Sequence, residues 1–239
     1  MSLLLQYNYL LFTKINAFAG HWFVLDDFMI FSANMLIFLW PLLMLAMWGR
    51  PLSWRKRPLR PGELAIIREC RSVILWIGVA CILSYLCNLS IEHFVFEPRP
   101  FIAHHVHLLV THPADNSFPS DHAAWSFAVV GMMLFSLPPL LRNAWQLRIN
   151  AANAANAAAW HWSEARVLVY PLLLMGLAII MACIIGVARV FVGVHYPGDI
   201  VGGAATGTFS AGVVTALRSR VFQRPTGVVL NVAQRLHVA

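Results

Sequence analysis

A short segment between two apolar stretches holds an arginine, a histidine and an aspartate within eleven positions: Arg189, His195 and Asp199. A carboxylate that accepts the Nδ1 proton of an imidazole fixes the tautomer of the ring and leaves Nε2 as a nucleophile or base. An isolated guanidinium at the end of an almost uncharged stretch needs an anionic partner or water. A snorkelling arginine and a helix-capping aspartate explain these residues one by one, but their clustering indicates nucleophilic chemistry on an anion.

A second segment, Phe118-Pro-Ser-Asp-His122, directly precedes an apolar run. Pro119 and Ser120 favour the start of a helix with Ser120 as its N-cap, and the free backbone N–H groups of the first turn then form an anion site. His122 lies in that first turn, where it can donate a proton to a leaving oxygen. An ordinary helix cap with an interfacial histidine is the alternative interpretation.

A third segment, Glu97-Pro-Arg99-Pro100, holds its arginine in extended backbone between two prolines. We expect the three segments to meet at one membrane face. Two arginines and helix-terminal amides suit a phosphoryl group, and two histidines, one oriented by a carboxylate, suit covalent transfer through a phosphohistidine. The residues expected at this site are Arg99, Ser120, His122, Arg189, His195 and Asp199.

The polar segment 95–121 is rich in histidine, which raises a metal site as an alternative. No ordered spacing with carboxylates or cysteines supports such a site, so we expect a wet, lid-like loop and chemistry with no metal and no cofactor. The cysteines have no metal-type spacing either, and we expect reduced thiols. The residues concerned are His104, His105, His107, His112, Cys70, Cys81, Cys87 and Cys183.

The elements that must position these residues are membrane helices. Hydrophobic residues make up 59% of the 239 positions and charged residues 11%, and the mean hydropathy is +0.69, values that exclude an ordinary soluble globule. The segment Leu3 to Phe12 is too short to span, and no cleavage site follows it, so we predict an interfacial helix rather than a signal peptide. The fold class predicted is all-α, a single polytopic membrane helix bundle over 1–239. About five stretches are long and apolar enough to span a bilayer: 27–48, 72–94, 122–141, 167–188 and 200–217.

The distribution of charge predicts the topology. With five spans, fourteen of the 17 cations fall on one side, which the positive-inside rule makes cytoplasmic, so the three motifs face outward. A one-sided basic distribution also argues against a nucleic-acid partner. We predict an extended loop over 49–71 and a helical extension in the alanine-rich 150–159. The fourteen cations are Arg50, Arg55, Lys56, Arg57, Arg60, Arg68, Arg71, Arg142, Arg148, Arg166, Arg218, Arg220, Arg224 and Arg235.

The three segments together resemble the type 2 phosphatidic acid phosphatase superfamily over about 72–217. By that resemblance His195 is the nucleophile, Asp199 its orienter and His122 the acid that protonates the leaving group. Arg99, Arg189 and Ser120 would hold the phosphate, with Asp121 in the same motif. The family pattern is Lys-x6-Arg-Pro, Pro-Ser-x-His and Ser-Arg-x5-His-x3-Asp, matched here by Arg99-Pro100, Pro119-Ser-Asp-His122 and Arg189-x5-His195-x3-Asp199.

The short chain and the form of the first motif are most similar to bacterial undecaprenyl-pyrophosphate phosphatases of the bacitracin-resistance type. The resemblance implies hydrolysis of a polyprenyl pyrophosphate at the outer face of the bacterial plasma membrane. Phosphatidylglycerophosphate, phosphatidic acid and lipid A phosphates are alternative substrates. A transporter that binds a lipid phosphate without cleaving it is the non-enzymatic alternative.

Two positions depart from the family pattern. Ala188 stands where the family has serine, and Glu92 stands where the family has lysine. A carboxylate close to a pyrophosphate would repel it unless the carboxylate is compensated. Glu92 can pair with an arginine, be protonated or point away from the site, and of these outcomes we expect it to pair with Arg99 and to orient it for substrate.

Overall fold

The computed structural model describes residues 3–49, 61–153, 166–221 and 223–235. Its secondary structure in these ranges is helical, with only an isolated bridge between Pro98 and Asn116 in extended backbone. The helices are α1 (Leu3–Asn16), α2 (Phe23–Asn34), a 3₁₀ turn (Leu36–Leu39), α3 (Trp40–Trp48), α4 (Pro61–Phe94), α5 (Pro100–Ala103), α6 (Asp121–Phe135), α7 (Leu137–Asn153), α8 (Arg166–Phe191), α9 (Pro197–Arg220) and α10 (Gln223–Arg235).

The predicted all-α membrane bundle is confirmed. In the described ranges, four helical stretches are long and apolar enough to cross a membrane, and a bent pair brings the number to five. The bent pair corresponds to the first predicted span, and α2 meets the helix that follows it at 59°. Pro41 lies in the first turn of α3, and because proline has no N–H to donate, continuous α-helix is interrupted just before it.

The second span begins eleven residues before the predicted start, so the prediction of an extended loop is wrong for 61–71. Charged residues are accommodated in this first part of α4 because they find partners. Arg71 Nε donates to the carbonyl of Trp48, and its guanidinium lies over the Trp48 ring. Residues 50–60 of the predicted loop lie outside the described ranges. In the alanine-rich segment, α7 continues to Asn153, and 154–159 are likewise outside the described residues.

Helix α6 lies at the centre of the bundle, where it packs most closely against α9 and also contacts α4 and α8. Two glycines of α9 make that approach possible. A Cβ at Gly203 would overlap the carbonyl oxygen of Ser120, and a Cβ at Gly207 would overlap that of Ala124. Small residues four apart allow membrane helices to pack backbone against backbone. The starts of α6 and α9 are therefore held together, and both predicted histidine motifs lie at these starts.

Helix α1 is too short to count as a span and packs across the same end of the bundle. The Asn16 amide donates to the carbonyls of His107 and Phe191, 2.8 Å from each, and its oxygen accepts from the His107 N–H. Asn8 accepts from the N–H of Gly198 in the first turn of α9. This placement agrees with a helix at the membrane surface, and it ties the polar loop to the ends of α8 and α9.

Candidate active site

A polar cavity of about 270 Å³ opens at the end of the bundle where α4 and α8 end and α6 and α9 begin. Its walls combine two arginines, three carboxylates and three histidines with a few apolar side chains of α4. The titratable residues that line it, apart from Tyr85, are Glu92, Arg99, His112, Asp115, Asp121, His122, Arg189 and His195. All three sequence motifs thus contribute side chains to one cavity.

His195 reaches this cavity because the chain turns sharply after α8. Gly193 adopts a positive φ of 88°, a conformation that glycine takes without strain. The N–H groups of Val194 and His195 donate back to the carbonyl of Arg189. The turn therefore brings His195 alongside the arginine that precedes it by six positions.

The Nε2 atom of His195 faces two guanidinium groups. Arg99 Nη1 lies 3.1 Å from it and Arg189 Nη2 lies 3.4 Å from it. Because a guanidinium nitrogen only donates hydrogen bonds, Nε2 must be the lone-pair nitrogen of the ring. The proton of the neutral imidazole is therefore on Nδ1, and the nucleophilic lone pair points into the cavity.

The Nδ1 atom of His195 faces acceptors on the opposite side of the ring. It lies 3.0 Å from the carbonyl of Ser117 and 3.2 Å from Asp199 Oδ2. The same carboxylate oxygen accepts from the Ser117 hydroxyl at 2.5 Å and from the Tyr196 N–H at 2.8 Å. Asp199 is fully buried and lies behind the cavity wall, so it acts on the ring and does not touch the cavity.

The imidazole of His195 is held in its neutral form. Burial lowers its pKa well below the usual value, and the Arg189 and Arg99 guanidinium groups lower it further. The hydrogen bond to the Ser117 carbonyl acts in the opposite direction but is a smaller effect. A neutral ring with a fixed Nδ1 proton keeps its lone pair on Nε2, which is the form in which an imidazole can act as a nucleophile or a base.

The two arginines are held differently. Arg99 is almost fully buried, and its Nε donates to Asp115 at 2.6 Å while Nη1 donates to the Val194 carbonyl at 3.0 Å. Arg189 is also buried, and its Nε has no hydrogen-bond partner in the described part of the chain. Arg189 lines the cavity, and a buried guanidinium there is suited to an anionic ligand.

The expected pairing of Glu92 with Arg99 is wrong, because Asp115 occupies that position. Glu92 lines the cavity and forms no ion pair within the described residues. Asp115 comes from the loop, sixteen positions beyond Arg99, and its side chain remains 57% exposed. The spacing of the first motif does not show whether Glu92 or Asp115 pairs with Arg99. The path of the loop decides it, because the loop brings Asp115 to Arg99.

The other wall of the cavity is formed by the first turn of α6. His122 is half-buried there and has no hydrogen-bond partner among the described residues. Its neighbour Asp121 accepts from Asn88 at 2.7 Å, and Asn88 in turn accepts from Thr206 at 2.8 Å. This chain of hydrogen bonds links α6 to α4 and α9 just beneath the cavity.

Ser120 occupies the N-cap position of α6 but does not cap the helix with its side chain. Its hydroxyl is fully buried without a hydrogen-bond partner, and it lies behind the cavity wall. The backbone N–H of Ser120 donates to the carbonyl of Asp199 at 3.1 Å. In this structure Ser120 therefore joins the two helix starts through its backbone.

The four histidines of the polar loop diverge from one another. His104 stacks on Tyr9, and His107 lies beside His21. Only His112 reaches the cavity, with its ring centroid 6.3 Å from that of His195, and burial together with the Arg99 guanidinium lowers its pKa. Among the described residues, no group of three or more His, Cys, Asp or Glu side chains is arranged to hold a metal ion. The four cysteines are free thiols.

Three residues of the site were not anticipated from the sequence: Asp115, Asn116 and Ser117. The Asn116 amide donates to the carbonyls of Val95 and Phe118 and accepts from the Glu97 N–H, so it fastens the Arg99 segment to the second motif. The sequence feature that could have identified them is their position, because all three directly precede the Phe118-Pro119 start of the second motif. A polar run at such a place is a reason to include it in the candidate site.

The sequence of this chain is similar to that of known proteins. A family model described as the PAP2 superfamily matches residues 73–223. Undecaprenyl-diphosphatase BcrC of Bacillus subtilis is 32% identical over 195 residues, which cover 82% of this chain and 76% of that protein. A putative undecaprenyl-diphosphatase of Escherichia coli, YbjG, is 28% identical over 225 residues, with 91% and 87% coverage.

Two solved structures share the fold. LpxE of Aquifex aeolicus has a TM-score of 0.54 at 21% identity, covering 88% of this chain and 95% of that one. A PAP2-type phosphatidylglycerolphosphate phosphatase of Bacillus subtilis has a TM-score of 0.55 at 17% identity, covering 92% and 89%. Because the family model matches more than half of the chain, the protein belongs to the PAP2 superfamily, as a multi-pass membrane phosphatase that hydrolyses lipid phosphates.

Proposed function

We propose that this protein hydrolyses undecaprenyl pyrophosphate to undecaprenyl phosphate and inorganic phosphate through a phosphohistidine at His195. The observation that carries the mechanism is the environment of one ring. Its Nδ1 proton lies against Asp199 and Ser117, and its Nε2 lone pair faces two guanidinium groups. A protein that only binds a lipid phosphate needs cations, but it does not need a neutral imidazole with a fixed tautomer.

In the first step, the terminal phosphoryl group replaces the contacts that the arginines now make with His195. Arg99 and Arg189 donate to its non-bridging oxygens, where negative charge is concentrated in the transition state. The Nε2 lone pair forms the P–N bond while the bridging P–O bond breaks, and the electron pair leaves on the bridging oxygen. His122 on the opposite wall is placed to protonate that oxygen when the leaving group needs it.

In the second step, water attacks the phosphorus of the phosphohistidine. The P–N bond breaks, its electron pair returns to Nε2, and inorganic phosphate leaves. His122 in its neutral form accepts the proton of the attacking water. The Nδ1 proton stays between His195 and Asp199 throughout, so the ring is ready for another cycle.

The choice of undecaprenyl pyrophosphate rests on the two relatives that carry that activity in their names. It also has a chemical consequence. The leaving group is then itself a phosphate monoester, whose oxygen is far less basic than the alkoxide that leaves phosphatidic acid or phosphatidylglycerophosphate. His122 is therefore less important for a pyrophosphate than for a monoester substrate.

The test is phosphate release by the purified protein in detergent from three substrates: undecaprenyl pyrophosphate, phosphatidylglycerophosphate and phosphatidic acid. We expect the highest kcat/KM with the pyrophosphate. His122→Ala should slow formation of the phosphohistidine from the two monoesters by about 10²–10⁴-fold, the usual contribution of a general acid, and slow its formation from the pyrophosphate by much less. Faster release from a monoester in the wild-type protein would contradict the proposed substrate.

We further propose that the site faces the exterior of the bacterial plasma membrane. The described cations Arg68, Arg142, Arg218 and Arg220 are at the opposite end of the bundle, which supports this orientation. In a variant without native cysteines, His105→Cys in the exposed loop should react with an impermeant thiol reagent in intact cells. Gln146→Cys at the other end should react only after lysis, and the reverse pattern would overturn the orientation.

A further inference from the structure

A second and larger cavity, of about 590 Å³, lies at the end of the bundle remote from His195. It is enclosed by the first part of α4, the junction of α6 and α7, the end of α9, and α10. One part of its wall is apolar and includes Phe135, Pro139 and Leu230. Another part carries three guanidinium groups, from Arg68, Arg142 and Arg218.

Arg218 is the most deeply placed of the three. Its Nη1 donates to the Ser72 hydroxyl at 2.9 Å and its Nη2 to Glu69 at 2.7 Å, and its side chain is only 9% exposed. Its Nε is buried without a hydrogen-bond partner in the described ranges. A buried, fixed guanidinium with a donor left over is costly unless a ligand completes its hydrogen bonds.

The charge of the cavity is unbalanced. Among the lining residues that the structure describes, three carry guanidinium groups and one, Glu69, carries a carboxylate, so two positive charges are left over. Arg68 donates to Asn231, a neutral partner. Arg142 is exposed and has no hydrogen-bond or ion-pair partner in the described part of the chain. The cavity is therefore suited to an anion.

This cavity is separate from the catalytic one. Ser72 lines it and Glu92 lines the active site, twenty positions later on the same helix. At 1.5 Å per residue, the two are about 30 Å apart along α4, which is about the thickness of the hydrocarbon core of a bilayer. The arginine cavity thus lies at the headgroup level of the leaflet opposite to the active site.

We propose that this cavity binds the headgroup phosphate of an anionic phospholipid from that opposite leaflet. Guanidinium groups bind phosphate oxygens through paired hydrogen bonds, and basic pockets between membrane helices are suited to anionic headgroups. The apolar wall selects a lipid over free phosphate, because Phe135, Pro139 and Leu230 can contact the first part of an acyl chain. The bound lipid would hold α10 against α4 and α9 and take no part in hydrolysis.

Native mass spectrometry of the detergent-solubilised protein tests this proposal, with phosphatidylglycerol as the probe and phosphatidylcholine as the zwitterionic comparison. We expect phosphatidylglycerol to bind more tightly than phosphatidylcholine. Arg142→Gln should weaken phosphatidylglycerol binding by about fivefold or more and leave phosphate release from undecaprenyl pyrophosphate unchanged. Arg220→Gln is the matched control, since Arg220 is exposed at the same end of the bundle but does not line the cavity.

Any of four outcomes would overturn the proposal. The first is equal binding of the two lipids, and the second is an equal loss of phosphatidylglycerol binding in Arg220→Gln, which would indicate general surface charge. The third is displacement of phosphatidylglycerol by an equal concentration of inorganic phosphate, which would make free phosphate the ligand. A second variant, Arg68→Gln, should weaken binding as Arg142→Gln does, and unchanged binding in both variants would equally contradict the site.

Discussion

The two walls of the catalytic cavity are built in different ways. On the nucleophile wall, His195 is buried and both ring nitrogens lie within hydrogen-bond distance of fixed partners. On the facing wall, His122 is half-buried and has no such partner among the described residues. Asp121 beside it is held by Asn88, and Glu92 lines the cavity without an ion pair in the described ranges.

The difference indicates which part of the reaction is preorganised by the fold. Under the proposed mechanism, the attacking nitrogen, its tautomer and the two arginines are in place before substrate arrives, so little reorganisation accompanies attack. The acid side gains its hydrogen bond only when a leaving oxygen is present. Substitutions on the nucleophile wall should therefore lower activity more than substitutions on the other wall.

The largest effect is expected for His195→Ala. Without the nucleophile no phosphohistidine forms, and kcat for phosphate release should fall by at least about 10⁴-fold, as for other covalent catalysts that lose their nucleophile. Binding of substrate should persist because both arginines remain. The measurement is phosphate release together with a thermal unfolding midpoint, which should stay close to that of the wild-type protein.

The decisive control for this variant is a search for covalently bound phosphate. Wild-type protein quenched during turnover should carry an acid-labile, base-stable label, as phosphohistidine does. The same label in His195→Ala would assign the nucleophile to another residue. The wall that carries His195 would then not be the wall that holds the nucleophile.

Two substitutions on the same wall, Asp199→Asn and Ser117→Ala, should each lower kcat, and the loss should be larger in Asp199→Asn. The amide can present an N–H to Nδ1, which disfavours the required tautomer, so kcat should fall by about 10²–10⁴-fold. Ser117→Ala keeps the carbonyl that accepts from Nδ1 and removes only the hydroxyl that donates to Asp199, so about tenfold is expected, or 1.4 kcal/mol. Because both act on one ring, the double variant should lose less than the product of the two effects.

Equal losses in Asp199→Asn and Ser117→Ala would mean that the hydrogen-bond network matters only as a unit. An unchanged kcat in Asp199→Asn would show that the Ser117 carbonyl alone fixes the tautomer. Either result can be separated from misfolding by measuring substrate binding, because neither side chain lines the cavity in front of the arginines.

A smaller effect is expected where a carboxylate holds an arginine. Asp115→Asn weakens the bond to Arg99 Nε and should lower kcat/KM by about tenfold, or 1.4 kcal/mol. Glu92→Gln is the matched control, because it removes the same charge from the same cavity without touching an arginine. Kinetics with undecaprenyl pyrophosphate should show no loss in Glu92→Gln, and Glu92→Lys should not exceed Glu92→Gln.

A loss in Glu92→Gln as large as that in Asp115→Asn would show that Glu92 has a role that its present contacts do not explain. Activity in Glu92→Lys well above that of both the wild-type protein and Glu92→Gln would show that a lysine can clamp phosphate here. The site would then follow the family pattern more closely than the position of Asp115 indicates.

The smallest expected effect concerns the pH dependence of stability. The pKa of His195 is lowered by burial, so the unfolded chain takes up a proton below about pH 6.5 that the folded site excludes, and stability falls with acidification. The pKa of Glu97 is raised to about 7, chiefly by burial and then by Asp199, so its contribution to stability is lost as pH rises from about 4.5 to 7. The two effects oppose each other, and we expect a nearly flat profile between pH 5 and 6.5.

Thermal midpoints of two variants separate these effects. In Glu97→Gln the midpoint should rise with pH up to about 6.5 more steeply than in the wild-type protein, because the opposing effect of Glu97 has been removed. In His195→Gln it should fall as pH rises, by about 2–4 °C per pH unit at most. Identical profiles in both variants would contradict a neutral, desolvated ring on the nucleophile wall.

Most of the fold could be predicted from the sequence, because long apolar stretches have few structural alternatives in a bilayer. The four later spans agree with the prediction, and their ends shift where charged residues find partners, as Arg71 does with Trp48. The 59° bend between α2 and the helical segment that follows it was not predicted, although Pro41 is visible in the sequence. A proline shows where a helix is interrupted but not the angle at which it resumes.

The site could be predicted from the sequence only in part. Most of the motif residues have side chains that line one cavity, although Ser120 and Asp199 lie behind its wall. The spacing of His195 and Asp199 is what a helix start requires for their contact. The hydrogen-bond partners that the loop supplies could not be predicted from the sequence, because Asp115 and Ser117 reach the site through the path of an irregular segment. The assignment of Glu92 as the partner of Arg99 failed for the same reason: distance along the chain was a poor guide to distance in space.

The glycines of α9 have a consequence for redesign of the enzyme. Gly203 and Gly207 set the separation of α6 and α9 by direct backbone contact, so no change of side-chain rotamer can alter it. The spacing between the proposed acid and the proposed nucleophile is thus a fixed dimension of the scaffold, whereas Tyr85 and Leu89 are adjustable positions around it. A library aimed at new lipid phosphates should vary those adjustable positions and leave the α6–α9 contact untouched.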